Sequence, residues 1–288
     1  MKTGVFAGLI TLDCIYQTRK GLAANEKQVA EAMLLAAGGP ATNAAIAFQA
    51  LGGRAILIGA LGQHPLTTVI QEDLAQYGVE LVDMTPEATA PPPFSSIVVN
   101  VETGDRAVIS RNVIDRPHIK QQPAAHLVAA MDCLLVDGHQ MWLSQQLAQQ
   151  ARQHNIPVIV DAGSWKSGFE TVFALATQVI ASANFAPPDR KTEWDAIAYL
   201  QSLDVPYSAV TRGDQSILYS TPSASSELPV PSIQPVDTLG AGDVFHGAFC
   251  YGYADRLDFL NALNFGAEIA AIACQSFGTR QWIQKLPQ

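Results

Sequence analysis

From residue 131 onward, short apolar runs alternate with segments of helical length, and that rhythm restricts the fold more than any other feature of the chain. Strands are expected at 133–136, 157–160, 178–181 and 207–210, with helices near 143–154, 169–175 and 193–203. Strand–helix alternation at this spacing implies a mostly parallel sheet with helices on both faces. The N-terminal half adds a buried strand at 5–10, a helix from the Gly38-Gly39 pair to about Leu51, a strand at 55–59 and a helix at 65–77. Two strands at 95–101 and 107–110 break the rhythm. They follow the rigid Pro91-Pro92-Pro93 and meet at a turn over 102–105. An alanine-rich helix is expected at 260–276, and the Ser- and Pro-rich stretch 221–235 reads as a surface loop. With 288 residues and 48% hydrophobic content, one α/β domain over 1–288 is the expectation.

Residues 236–249 change character midway. Two glycines and an Asp-Thr pair exclude regular helix or strand over 237–242. Val244, Phe245, Ala248, Phe249 and Gly252 then recur at helical spacing. A glycine turn therefore feeds a helix start. The N–H groups of Ala241, Gly242 and Asp243 lack partners inside such a helix, and its dipole adds positive potential. The result is an anion site, which Gly240 and Gly242 keep open at the backbone. Asp243 stands at its rim. Phosphate binding alone gives no reason for a carboxylate there. Phosphoryl transfer does: Asp243 can take the proton of an attacking hydroxyl while the amides hold the developing charge. Taken alone, Asp243 also fits a helix cap.

Upstream, Gly38-Gly39-Pro40-Ala41-Thr42-Asn43 opens a helix. Its glycines let a ligand approach the backbone, and Asn43 can both donate to and accept from a hydroxyl. Asp13 follows the first strand, where ligands bind in open α/β sheets. Read alone, it fits a sugar-hydroxyl acceptor or a turn residue.

The string Asp-Thr-x-Gly-Ala-Gly-Asp-x-Phe at 237–245 resembles the C-terminal signature of the ribokinase (PfkB) family of carbohydrate kinases. Gly-Gly-x-x-x-Asn-x-Ala at 38–45 resembles its N-terminal signature, in the family's order. The resemblance implies a ribokinase-like α/β fold with a small β-strand lid, formed by segments about 14–37 and 92–112. It implies an ATP-dependent carbohydrate kinase with Asp243 as general base. Asp13, Gly39 and Asn43 would hold the sugar. Gly240, Ala241 and Gly242, with Thr211 and Gly213 of a Thr-x-Gly turn, would line the ATP phosphates, and Arg212 between them could add a cation. Arg106 is assigned to phosphate or transition-state charge, and Gly104-Asp105-Arg106 points to the ketohexokinase and sulfofructose kinase branch. Mg²⁺ would accompany ATP, and Asp237 would help hold a monovalent cation such as K⁺. Adenine would lie against the helix at 260–276 and Phe277-Gly278-Thr279. One feature departs from the family: Asn184 is followed by Phe185-Ala186-Pro187, where many members have Asn-x-x-Glu for magnesium and phosphate. Lids of this kind pair between subunits, so a homodimer through the lid is expected.

Composition narrows the partners. The chain has 17 basic and 26 acidic residues, net charge -9, without a basic run, which speaks against nucleic acid and anionic membranes. Cys14, Cys133, Cys250 and Cys274 are widely spaced in apolar segments and read as buried free thiols. The apolar N-terminal run ends at Asp13 without a cleavage site, so a cytoplasmic location is expected. Gly-x-x-x-x-Gly-Lys-Ser/Thr, Gly-x-Gly-x-x-Gly and Gly-x-Ser-x-Gly are missing, against P-loop, dinucleotide and hydrolase chemistry. Two other readings stand beside the sugar kinase. A nucleoside kinase of the same fold would want an aromatic slot near Asp13, where only Tyr16 is close in sequence. A non-catalytic relative would have no use for Asp243. The sugar itself is open: Ser95, Val99, Arg111 and His139 are candidate specificity positions, and Arg19, Lys20, Arg111 and Arg116 are candidate contacts for an acidic sugar.

Overall fold

Thr-Gly-Val-Phe-Ala-Gly is buried along its whole length and forms β1 (Thr3–Gly8), from which the main sheet extends both ways. The structure, a computed structural model, describes residues 1–21, 24–111, 119, 121–124, 127–128, 131–188 and 190–286. Arg116 and parts of the two expected lid segments, 22–23 and 112, lie outside the described residues. On one side of β1 run β4 (Arg54–Gly59) and β5 (Glu80–Asp83). On the other run β8 (Cys133–Val136), β9 (Val158–Ala162), β10 (Gln178–Ser182) and β11 (Tyr207–Arg212). These are all parallel. β12 (Gln215–Ser220) and β13 (Ser225–Leu228) close that edge antiparallel.

Both faces of the sheet are covered. Val5 and Ala7 face one core, with residues of α3 (Met141–Gln153), α4 (Phe169–Phe173) and α5 (Glu193–Ser202). Phe6 faces the other, with α1 (Pro40–Ala50), α2 (Pro65–Gln76), α6 (Ala241–Ala254) and α7 (Phe259–Ala273). Such two-sided burial is why these strands read as continuous apolar runs rather than as alternation.

A second sheet has the order β3-β2-β6-β7, from β2 (Thr11–Thr18), β3 (Ala32–Gly38), β6 (Phe94–Asn100) and β7 (Arg106–Arg111). Ile15, Ile97 and Val99 pack from its inner face on Phe277, with Leu239 alongside. This sheet therefore sits on the glycine turn that precedes α6.

The sequence expectation differs from the fold in several places. Asp13 lies inside β2, not in a loop after the first strand. β5 was not expected, because one exposed and three half-buried residues at the end of the parallel run carry too little pattern. The expected loop 221–235 contains β13, whose Ser-Ser-Glu-Leu is polar because it lies exposed at a sheet edge. Cys14, Cys133 and Cys250 are buried free thiols, and Cys274 is partly exposed. Among the described residues no helix is long and apolar enough to cross a membrane.

Candidate active site

The strand order reverses at β1, whose parallel neighbours β4 and β8 lie on opposite sides, and ligands in such sheets bind beyond the strand ends at that point. There Gly8 ends β1 so close to Asp137 that a Cβ would stand 2.1 Å from its carboxylate. Asp137 is buried and accepts N–H groups from Leu9 (2.9 Å), Ala41 (3.3 Å) and His139 (2.9 Å). Burial alone would raise its pKa; the adjacent His139 and the N–H groups of Leu9 and His139 outweigh that and hold it low. Asp137 thus ties β1 and β8 to the start of α1.

Gly39 begins α1 at φ 102°, with Pro40 in the first turn. A side chain there would meet the Leu9 carbonyl at 2.3 Å, so the glycine is required by the approach of two backbones. Gly38 faces Asp13 as closely: a Cβ would lie 1.9 Å from Asp13 Oδ2. Asp13 is buried, accepts a hydrogen bond from Thr11, and lies across β2 and β6 from Ser95. Burial raises its pKa, while Thr11, Ser95 and the charge of Arg280 pull it down.

α6 begins after Gly240, which takes the left-handed conformation, φ 72°. Its first residues are Ala241, Gly242 and Asp243. The Ala241 N–H turns back to the Thr238 carbonyl at 3.3 Å, so one of the three expected anion donors is already engaged. Gly242 is exposed, with nothing within 4 Å of where a Cβ would stand. Asn43 Nδ2 donates to Asp243 Oδ2 at 2.8 Å, which joins the two glycine motifs in space. Burial, followed by repulsion from Asp161, pushes Asp243 up to about 7; Asn43 and His246 oppose this, and Asp13 adds to it. Around it, Asp161 is buried and raised by that burial, with His246 Nδ1 at 3.7 Å. Burial lowers Lys166, against the pull of Asp137 and Asp161.

Arg106 reaches the same turn from β7, donating to Thr238 Oγ1 at 2.7 Å. Asp237 is buried, and its two oxygens accept the N–H groups of Leu239 and Gly278, both at 2.8 Å. Thr211 and Gly213 lie at the end of β11 and in the turn after it. They are linked to the site through β10, whose Ile180 carbonyl is 3.3 Å from His246 Nε2 on α6. Arg212 is committed elsewhere: it donates to the Ser216 carbonyl and pairs with Glu227 on β13. Of the candidate contacts for an acidic sugar, Arg19 pairs with Glu31 and Lys20 with Glu26. Phe277, Gly278 and Thr279 pack beneath the second sheet and against the turn: Gly278 binds Asp237, and the Thr279 methyl lies under Gly240.

Sequence reasoning passed over Asp137, Asp161, Lys166, His246 and Arg280. Asp137 and Asp161 follow apolar strand runs, as Asp13 does, and that position was their available signal. Arg280, beyond the last long helix, carried none.

This arrangement has counterparts among known proteins. The chain is 26% identical to Bacillus subtilis ribokinase over 95% of this chain and 93% of that protein. Identity to mouse ketohexokinase is lower, 22% over 82% and 84%, so the ketohexokinase branch has only loose support. The crystal structure of a candidate ribokinase from Agrobacterium tumefaciens superposes with a TM-score of 0.86, at 25% identity, covering 99% of this chain and 98% of that one. A model of the pfkB family carbohydrate kinases matches residues 1–286, and the chain belongs to that family: it is an ATP-dependent carbohydrate kinase with the ribokinase-like fold.

Proposed function

We propose that the protein transfers the γ-phosphoryl group of ATP to a hydroxyl, a primary one, of a ketose or related carbohydrate, with Asp243 as general base. The observation that carries this reading is the 2.8 Å hydrogen bond from Asn43 to Asp243. It brings a hydroxyl-binding amide and a carboxylate of raised pKa to the rim of a helix N-terminus. Asp13, Gly39 and Asn43 hold the sugar. Thr11 and Ser95 beside Asp13 are hydroxyl residues, which suit a polyol better than the flat ring of a nucleoside. The free amides of Gly242 and Asp243, with Gly240 and Ala241 shaping the turn, take the charge of the transferring group; Thr211 and Gly213 line the nucleotide phosphates, and Arg106 adds positive charge. Positioning and electrostatics account for most of phosphoryl-transfer catalysis, so this set suffices.

Among the described residues no three His, Cys, Asp or Glu side chains cluster as a metal cage. That fits Mg²⁺ arriving on the triphosphate, since Mg²⁺ keeps waters and substrate phosphates as ligands. Asp237 suits a monovalent cation. Burial pushes its pKa up, against the pull of two main-chain donors and the charge of Arg106. The second sheet serves as a lid that excludes water from the transfer, and its outer face pairs two subunits.

Release of ADP from ATP, followed with ribose, fructose and adenosine for the parent and Asp243→Asn, tests the reading. Turnover with a sugar is expected, with a loss of about 100-fold or more in the variant and retained nucleotide binding. Adenosine as the preferred acceptor, or near-parental turnover in Asp243→Asn, rules it out.

A further inference from the structure

Arg280 is buried, 5% exposed, a few residues past α7. Its guanidinium is held from several directions. Nη1 donates to Asn43 Oδ1 at 3.0 Å and to the carbonyl and hydroxyl of Thr279 at 3.2 and 2.9 Å. Nη2 donates to the Ala37 carbonyl on β3 and pairs with Asp73 of α2 at 2.9 Å. The group lies over the ring of Tyr77, 5.3 Å from its centre. So many fixed partners leave the guanidinium one position.

Asn43 lies between this cation and Asp243. A primary amide has two unlike ends: the oxygen only accepts, the nitrogen only donates. A guanidinium only donates, and an ionised carboxylate only accepts. Asn43 therefore satisfies both neighbours in one orientation. The flipped amide would turn its oxygen on the carboxylate and its N–H groups on the cation.

We propose that Arg280 is a positioning residue for phosphoryl transfer: by locking the amide of Asn43, it keeps an N–H donor on one oxygen of Asp243 and leaves the other oxygen for the sugar hydroxyl. This rests on Asp243 being the base. The groups facing Asp243 are Asp161 on β9, His246 on its own helix, Asp13 on β2 and Asn43 on α1. Arg280 acts on Asp13 as well as on Asn43. Its loss would let Asp13 hold a proton to higher pH. That relieves repulsion on Asp243, so it cannot raise the pKa of Asp243.

The test is the pH profile of kcat/KM for Arg280→Lys, Arg280→Gln, Asn43→Ala and the double variant Arg280→Lys/Asn43→Ala. Lysine keeps the charge and loses the fork that engages both sides. Arg280→Lys and Asn43→Ala are each expected to move the acidic limb up by about one pH unit, the scale of one hydrogen bond to a charged group. At pH 7 that lowers kcat/KM about fivefold. The double variant should move no further than the larger single one, since both remove one interaction. If Arg280→Gln moves the limb and Arg280→Lys does not, charge alone is responsible and the proposal falls. It also falls if the shifts add, or if thermal stability drops with the limb unmoved. Retained activity in Asp243→Asn would instead sink the base assignment itself. Should Arg280→Gln fail to fold, Arg280→Lys and the double variant still decide.

Discussion

As the proposed base, Asp243 places opposite pH demands on turnover and on stability. As a base it acts only when ionised, so kcat/KM should rise with pH and level off above about 7, the value to which burial and Asp161 push it. A profile flat from pH 5.5 to 8.5 would exclude this role. For stability the sign reverses. The folded chain holds a proton that the unfolded chain releases near 3.8, so this contribution is complete below that pH and is lost as pH rises through about 7. Asn carries no charge at either end of the range. Asp243→Asn should therefore raise the melting temperature more at pH 8 than at pH 5, measured by calorimetry against the parent. The place of Asp243 in the first turn of α6 was legible in the sequence because a glycine turn, a helix start and an acid occur together within seven positions, 237–243. Arg280 was not legible: its partners Ala37, Asn43 and Asp73 are more than 200 positions away, and no local pattern encodes that contact.

The two helices that carry Asn43 and Asp243 approach most closely at Gly247. Gly247 on α6 lies against α1 so closely that a Cβ would stand 2.3 Å from the Ala44 carbonyl and 2.6 Å from the Ala47 methyl. The 2.8 Å bond between Asn43 and Asp243, one turn away, depends on that spacing. Gly247→Ala should cost about 1–3 kcal/mol by overpacking and should lower kcat beyond the fall in folded fraction, because the base and its amide are pushed apart. Denaturant melts with single-turnover rates measure the two effects; a destabilised variant with parental kcat would show that the helices move without disturbing the site. At this scale most of the fold could be read in advance. The expected strand at 133–136 matches β8, and 178–181 matches β10 less one residue, because fully buried parallel strands are unbroken apolar runs. The start of α6 was expected at Val244 and lies at Ala241, since hydrophobic period marks the first buried residue rather than the first helical one. β5 and β13 lie at the two ends of the sheet, where burial is too slight to leave a pattern.

For the whole molecule, the second sheet presents two apolar faces, and the described residues cover one. Register places Met33 opposite Tyr16 and Leu35 opposite Cys14, with Val98 and Ser96 next across β2, then Ala107 and Ile109. Alternation puts all of these on the face away from Ile15 and Ile97. Met33 is 58% exposed, Leu35 41% and Ile109 75%. An apolar stripe across a sheet marks an interaction surface, and two copies of one face can cover each other about a twofold axis. The parent protein should therefore run as a dimer by light scattering at micromolar concentration. Met33→Lys/Ile109→Glu should run as a monomer with its far-UV spectrum unchanged. Because the opposite face of this sheet carries Asp13 and Ser95, loss of the partner should raise KM for the sugar more than KM for ATP. A monomeric parent would refute the pairing, and a monomeric variant with both constants unchanged would separate subunit pairing from closure over the sugar.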